Sequence, residues 1–214
     1  YDSIEDALAD VRIAGRPVEI ITYDYGSENA ANDAANAAEG VRELVESEFV
    51  DVIVGPPNSG AAVQVQELTG PDNYDIIYFP APAASPSLTG ENFNVNTFRI
   101  CRNTDQDALT FATVADQFGD TYIQLAIDTD FGRGTALAFQ DSLEAQGIEF
   151  VDEVIYVPSD TTDLTPYLQQ VLDSGAEVLN PIMAGEISVR FTQQVVELGV
   201  LDQMTVVGGT NSND

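Results

Sequence analysis

The stretch "VDVIVGPPNSGAAVQVQEL", residues 50–68, decides the fold. An apolar run ends in Gly-Pro-Pro-Asn-Ser-Gly, and a helical pattern starts directly after it. We expect a short buried strand over 50–55 and a helix over 60–69, with a tight loop between them. Loops of this shape hold phosphates, carboxylates or no ligand, so the rest of the chain has to decide among these three interpretations.

The same alternation of strand and helix extends to both sides of this stretch. We expect a helix over 3–15, a strand over 17–23, an alanine-rich helix over 29–48, a strand over 74–80 and a small-residue loop over 81–90. The strands are apolar throughout instead of alternating, which is typical of a parallel sheet that is covered on both faces.

A break follows at 94–105, where a short strand runs into polar residues, and then the alternation restarts. The second series is predicted as a helix over 105–119, a strand over 121–130, a helix over 132–147, a strand over 149–158, a helix over 162–175, a strand over 176–183, a helix over 186–199 and a strand over 204–209. The chain therefore predicts two consecutive open α/β units that are joined near 99–104.

The charge balance excludes two classes of partner. The 214 residues include 36 acidic and 7 basic side chains, for a net charge of −29, and every basic residue is arginine. Such a surface repels nucleic acid and anionic membranes. The acids are spread through apolar-periodic segments, which indicates a folded domain adapted to high salt, where counter-ions screen the repulsion. An anionic low-salt protein or a buffer of divalent cations is the alternative.

Most catalytic chemistry lacks its residues. Without lysine the "GPPNSG" loop is no nucleotide phosphate loop, and "FGRGTA" (131–136) lacks the third glycine of the dinucleotide motif, so its glycines indicate a tight turn. "DTDFG" lacks the later ligands of a calcium loop. The absence of histidine and the single Cys101 argue against a serine hydrolase, a zinc site and an internal disulfide. We expect no enzyme, no metal and no cofactor.

What remains is a set of polar or glycine-rich loops after predicted parallel strands. They are "GPPNSG", "APAASPSLT", "DTDFGRG", "MAGE" and "GGTNS", two in the first unit and three in the second. Ligands bind at the carboxyl ends of open parallel sheets, beside helix N-termini that favour negative charge. Two such faces without catalytic residues predict a clamshell binding protein that closes by a hinge.

The longest of these segments also resembles a known family. "AGRPVEIITYDYGSENAANDAANAAEGVRELVESEFVDVIVGPPNSGAA" (14–62) is similar to the N-lobe of type I periplasmic binding proteins, specifically the branched-chain amino acid binders of ABC importers. "PAPAASPSLTG", "NTFRICRNTDQDA", "DTDFGRG" and "RFTQQVVELGV" resemble later segments of that family in the same order. The resemblance implies an N-terminal lobe over 1–99 that lacks its first strand, a hinge crossing over 100–104 and a C-terminal lobe over 105–214 whose return to the N-lobe is absent.

In the first lobe, the resemblance places the family's carboxylate-binding serine at Ser59, with Asn58 alongside. The usual threonine of the second loop is Ala84, next to Ala83, and Ser85 takes its place if the alignment shifts by one. Alternatively, Ser59 caps the helix that follows it, a role that is compatible with ligand contact.

In the second lobe, Phe131 stands where the family commonly has tyrosine, and core packing is its alternative role. The family's aromatic residue near Ala184 and Gly185 is missing, and its ammonium-binding acid falls at Thr210. We expect all four residues to line the ligand site. Losing the acid argues against a leucine-like zwitterion.

The resemblance implies an extracellular solute-binding protein of an ABC importer, a monomer that is lipid-anchored through a segment not present here. Its partners are expected to be a small polar solute (amino acid-like, amide, urea-like or carboxylate) and the permease subunits. A sensor or regulator with the same fold is the first alternative. A Rossmann-like or flavodoxin-like nucleotide-binding enzyme is the more distant one.

Overall fold

The structure is a computed structural model that describes residues 2–26 and 30–208. Seven helices are found in this part of the chain: α1 (Asp2–Leu8), α2 (Ala30–Glu46), α3 (Ser59–Thr69), α4 (Thr104–Ala112), α5 (Asp130–Glu144), α6 (Thr165–Asp173) and α7 (Glu186–Glu197). Nine strands accompany them: β1 (Arg12–Ile13), β2 (Arg16–Pro17), β3 (Val52–Val54), β4 (Ile77–Phe79), β5 (Thr121–Ile127), β6 (Glu149–Phe150), β7 (Ile155–Val157), β8 (Val178–Ile182) and β9 (Thr205–Val206). Single 3₁₀ turns follow β4, α4 and α7.

The first parallel sheet consists of β3 and β4, which pair in parallel with Val52 opposite Ile77. Helices α2 and α3 cover one face, and a core of small and aliphatic side chains around Ile53 and Tyr78 fills the space between them. On the other face, Val54 is 68% exposed, and Val52 and Ile77 are also exposed. The predicted parallel pairing of the first sheet is therefore confirmed, but helices cover only one of its two faces among the described residues.

The second sheet has five strands in the order β6-β5-β8-β9, and β7 also pairs with β5; every pairing is parallel. Alternate residues of β5 point to opposite faces. Ile123 and Leu125 pack with α6 and α7, while Tyr122 packs with α4 and α5 around Phe139. Both faces are covered, and the α/β fold with parallel sheets is confirmed.

The first 26 residues differ from the prediction. The helix ends at Leu8, and β1 and β2 form an antiparallel hairpin with Ile13 opposite Arg16. Its two turn residues, Ala14 and Gly15, both have positive φ, the geometry that twists two strands into register. The helix expected over 3–15 is wrong beyond Leu8 because Ala-Gly serves here as a hairpin turn instead of a helix end.

Three predicted strands also change. Residues 18–26 have no regular structure, because a strand needs a hydrogen-bonding neighbour and none of the described residues pairs with the 17–23 segment beyond the hairpin. The strand expected within 94–105 is reduced to one bridge between Tyr78 and Thr97. The strand expected over 149–158 divides into β6 and β7, which both pair with β5.

Side-chain caps fix several helix ends. Asn103 and Gln106 form a reciprocal capping box at α4, with two 3.1 Å hydrogen bonds. The residue at the N-cap of α6, Leu164, provides no side-chain cap. Instead, Gln194 of α7 accepts a 2.6 Å hydrogen bond from the Leu164 N–H and donates to the Thr162 carbonyl at 2.9 Å. One amide side chain thus holds the entry to α6.

Candidate solute-binding site

The loop after β3 supplies the first two site residues. Asn58 caps α3, because its Oδ1 accepts a 3.0 Å hydrogen bond from the Ala61 N–H. Ser59, which is 3% exposed, is therefore not the cap; its Oγ accepts a 3.2 Å hydrogen bond from the Ser85 N–H. The two loops that sequence reasoning selected are joined through this contact.

The loop after β4 is held by its carbonyl groups. Arg99 donates from Nη1 to the Ala83 carbonyl at 2.8 Å and from Nη2 to the Ser85 carbonyl at 2.6 Å. The Ala84 carbonyl accepts a 3.0 Å hydrogen bond from the Thr104 N–H. Three successive carbonyl oxygens are thus occupied by the segment 99–104, which is predicted to connect the two units.

Cys101 lies on the same connecting segment. Its half-buried Sγ is 3.7 Å from the Pro80 carbonyl oxygen and 4.0 Å from the Ala83 carbonyl oxygen, within reach of the weak hydrogen bonds that a thiol donates. The cysteine therefore packs against the loop after β4.

The backbone N–H groups of the two loops are the part of the site that stays free. Among the described residues, no acceptor pairs with the amides of Ser59 and Gly60 at the start of α3, or with those of Ala83 and Ala84. The first amides of a helix carry partial positive charge and have no partner inside the helix. With the carbonyls of residues 83–85 occupied, this part of the second loop offers hydrogen-bond donors.

The second loop also touches the second unit. Ser85 Oγ and Ser87 Oγ are 2.9 Å apart, and Ser87 Oγ donates to Asp130 Oδ2 at 3.3 Å. Farther along α5, a Cβ on Gly134 would lie 3.5 Å from Pro86 and from the Ser85 hydroxyl, an ordinary contact distance. The N-terminus of α5 therefore lies directly against the loop after β4.

Gly132, at the start of α5, has another role than the predicted tight turn. Thr129 caps α5 by accepting a 3.2 Å hydrogen bond from the Gly132 N–H. A Cβ on Gly132 would lie 1.8 Å from the Ile127 carbonyl oxygen, so glycine is required because helix and strand approach so closely. Phe131, the residue before Gly132, is half-buried and packs against the cores on both faces of the second sheet. Its contact with a ligand stays a prediction.

The remaining candidates are less well placed. Gly185, exposed and with a φ of +68°, precedes α7, and its carbonyl accepts hydrogen bonds from the Ser188 N–H and hydroxyl. Ala184 is half-buried. Within residues 2–26 and 30–208, no hydrogen bond joins Ala184 or Gly185 to the loops after β3 and β4. Thr210 lies outside the described residues.

Sequence reasoning missed Asp33 and Arg99. Asp33, in the first turns of α2, is only 3% exposed, and its Oδ1 has no hydrogen-bond partner in the described part of the chain. Burial raises the pKa of Asp33; burial and then the charge of Asp33 raise the pKa of the Tyr25 phenol. The spacing of the sequence could have indicated the burial of Asp33. It lies one turn before the buried Ala37 and two turns before Val41, and therefore on the same buried face of α2.

Two surface grooves lie away from these loops. One, of about 510 Å³, is lined by residues of the 152–156 segment and of α6; the other, of about 440 Å³, lies between the end of α3 and Asn92 and Asn94. Among the described residues, no three acidic or cysteine side chains gather to hold a metal. None of the described helices has the length and apolar character to span a membrane.

Three comparisons with known proteins agree on one family. The sequence profile described as periplasmic binding protein matches residues 2–214. A Leu/Ile/Val-binding protein homolog 8 from Brucella abortus (strain 2308) is 27% identical over 219 residues, which cover 96% of this chain and 52% of that protein. The chain thus spans about half the length of this curated relative.

Two solved structures have the same fold. A periplasmic binding protein from Burkholderia mallei superposes with a TM-score of 0.86 at 26% identity, over 97% of this chain and 54% of that one. An ABC-transporter solute-binding protein from R. palustris, in complex with 4-hydroxybenzoate, superposes with a TM-score of 0.80 at 25% identity, over 91% and 51%. The resemblance noted in the sequence is confirmed: the chain belongs to the periplasmic binding protein family.

Proposed function

We propose that this chain forms part of an extracellular solute-binding protein of an ABC importer, which captures a small polar solute and delivers it to the permease. Family membership supports the transport role, and nothing in the chain's chemistry calls for catalysis. The tether to the membrane, the monomeric state and the lobe boundaries at 99 and 104 stay predictions.

The observation that carries the proposal is the unpaired donors of the two loops. The amides of Ser59, Gly60, Ala83 and Ala84 have no acceptor among the described residues, whereas the carbonyls of residues 83–85 are occupied. Such a site favours an acceptor-bearing group, a carboxylate or a carbonyl, at the helix N-terminus. Amides, urea-like compounds and carboxylic acids all carry one, and so do amino acids.

The comparisons narrow the first solutes to test. The R. palustris relative was solved with 4-hydroxybenzoate, an aromatic carboxylate without an ammonium group, and the Brucella relative is named for branched-chain amino acids. We infer that a carboxylate without an ammonium fits this chain better, because the family's ammonium-binding acid is replaced by Thr210.

The test is thermal unfolding and calorimetry in molar salt with 4-hydroxybenzoate, benzamide, urea and L-leucine. A bound solute at about 100 times its Kd adds about 2.7 kcal/mol to the free energy of unfolding. Ser59→Ala should weaken binding about 10- to 100-fold, because a hydroxyl near a carboxylate is lost together with the support of Ser85. The matched control is Ser47→Ala, an exposed serine after α2. If no solute stabilises the chain, or both variants bind alike, the proposal fails.

A further inference from the structure

Arg99 binds the loop after β4 at two of its backbone carbonyls. Its two terminal nitrogens contact carbonyls two residues apart, Ala83 and Ser85, at 2.8 and 2.6 Å. A planar guanidinium is suited to such a pair of acceptors because its donors form a rigid fork. The intervening Ala84 carbonyl faces the backbone N–H of Thr104.

Because a peptide unit is planar, holding a carbonyl in place also fixes the direction of the N–H group of the next residue. Within one peptide unit, the carbonyl of a residue and the N–H of the next point in opposite directions. Fixing the Ala84 carbonyl on Thr104 therefore turns the Ser85 N–H the other way, and it meets Ser59 Oγ at 3.2 Å. By the same rule, fixing the Ala83 carbonyl on Arg99 turns the Ala84 N–H away from the connecting segment.

The partners of Arg99 in the described part of the chain are backbone carbonyls. Although the chain carries 36 acidic residues, Arg99 forms no ion pair with a carboxylate in the part that the structure describes. By contrast, the nearby Arg102 is exposed and pairs with Asp107. The two terminal nitrogens of Arg99 donate to backbone carbonyls, and its buried Nε has no hydrogen-bond partner among the described residues.

We propose that Arg99 is a positioning residue of the solute site, which holds the loop of residues 83–85 so that the Ala84 amide stays free for a solute and the Ser85 amide stays on Ser59. This proposal rests on the proposed function for its effect on binding. Its effect on the loop is independent of any solute.

The first test measures amide hydrogen exchange by NMR on the full chain without solute. Arg99→Met removes the hydrogen bonds to the Ala83 and Ser85 carbonyls, together with a longer one to the Arg102 carbonyl, at similar side-chain volume. The Ser85 amide should then exchange about 10- to 100-fold faster. Arg99→Lys should give an intermediate rate, because one ammonium reaches a single carbonyl of the two. Arg102→Met is the matched control and should leave the Ser85 rate within about twofold, since exposed ion pairs contribute little.

The exchange of other amides separates positioning from general stability. If the amides of β3 and β4 accelerate by the same factor as Ser85, Arg99 merely stabilises the unit and the proposal is wrong. An unchanged Ser85 rate in Arg99→Met overturns it as well. A selective increase at Ser85, partly reversed in Arg99→Lys, supports it.

The second test measures 4-hydroxybenzoate binding by calorimetry. Arg99→Met should weaken the affinity about tenfold or more, with Arg102→Met close to the unsubstituted protein. Equal affinities of Arg99→Met and the unsubstituted protein contradict the proposal. If the unsubstituted protein binds none of the panel, the proposed function fails, while the exchange result still decides the role of Arg99.

Discussion

Replacing Gly132 by alanine should cost far more stability than the same change two residues later. Gly132 lies where the first turn of α5 crosses the end of β5. An added Cβ would lie 1.8 Å from the Ile127 carbonyl oxygen, and 2.9 Å from both the carbonyl carbon and Cγ2 of the same residue. The obstacle is mainly backbone, so no rotamer change can remove it.

The size of the effect follows from the displacement that the methyl group requires. A carbon and a carbonyl oxygen normally approach to about 3.3 Å, so the helix start has to move by about 1.5 Å. Such a shift disturbs Ala136, Phe139 and Leu143, which are almost fully buried on the inner face of α5. Overpacking costs about 1–3 kcal/mol or more, and the better helix propensity of alanine returns up to about 1 kcal/mol. Because the obstacle is backbone, we take the upper end of the overpacking cost and expect a net loss of about 2–3 kcal/mol.

Gly134→Ala is the control on the same helix. Its Cβ would meet Pro86 and the Ser85 hydroxyl at 3.5 Å, an ordinary contact. Because alanine is the better helix former, this variant should be as stable as the original protein or up to about 1 kcal/mol more stable. Urea unfolding in constant molar salt, followed by circular dichroism, measures both. Equal midpoints for the two variants would refute the close-approach argument.

Three further outcomes are expected. Asp33→Asn should raise the free energy of unfolding at pH 7 by about 1–3 kcal/mol, whereas the exposed Asp141→Asn should not. Burial raises the folded-state pKa of Asp33, so the charged carboxylate destabilises the folded state above that pKa. The advantage of Asp33→Asn should therefore disappear as the pH falls toward the ordinary value of 3.8. Gln194→Ala should lower the free energy of unfolding by about 1–3 kcal/mol in chemical unfolding, because the loop before α6 loses its two hydrogen bonds to this side chain. The exposed Gln193→Ala is the near-neutral comparison. Raising the salt from 0.1 M to several molar should raise the thermal midpoint, because the repulsion within a chain of net charge −29 is screened; an unchanged midpoint would contradict the expected salt adaptation.

Much of the architecture could be predicted from the periodicity of apolar residues and from the residues that end helices and form turns. Helices α2, α3, α5 and α7 and strands β3, β5 and β8 lie within a few residues of their predicted spans, because apolar strands and capped helices alternate regularly. The pairing partner of a strand is not a local property. That is why the apolar 17–23 segment was predicted as a strand, although no described residue is available to bond with it beyond the hairpin.

The site was predictable at the level of loops. Asn58, Ser59 and Ser85 were selected, and the structure does bring their loops together. Which atom contacts which could not be read from the sequence: Ser85 uses its N–H on Ser59, not its hydroxyl. Arg99 went unnoticed because its partners are main-chain carbonyls, which leave no trace in the side-chain pattern.

The position of Cys101 makes the loop after β4 observable by fluorescence. It is the only cysteine of the 214 residues, the chain has no lysine, and its Sγ lies within 4.0 Å of the Ala83 carbonyl. A thiol-reactive dye would therefore attach at one place, on the segment that carries Arg99, without any engineered residue. Its emission would follow the polarity around the loop, so that solute capture and loop release become optical signals that can be timed.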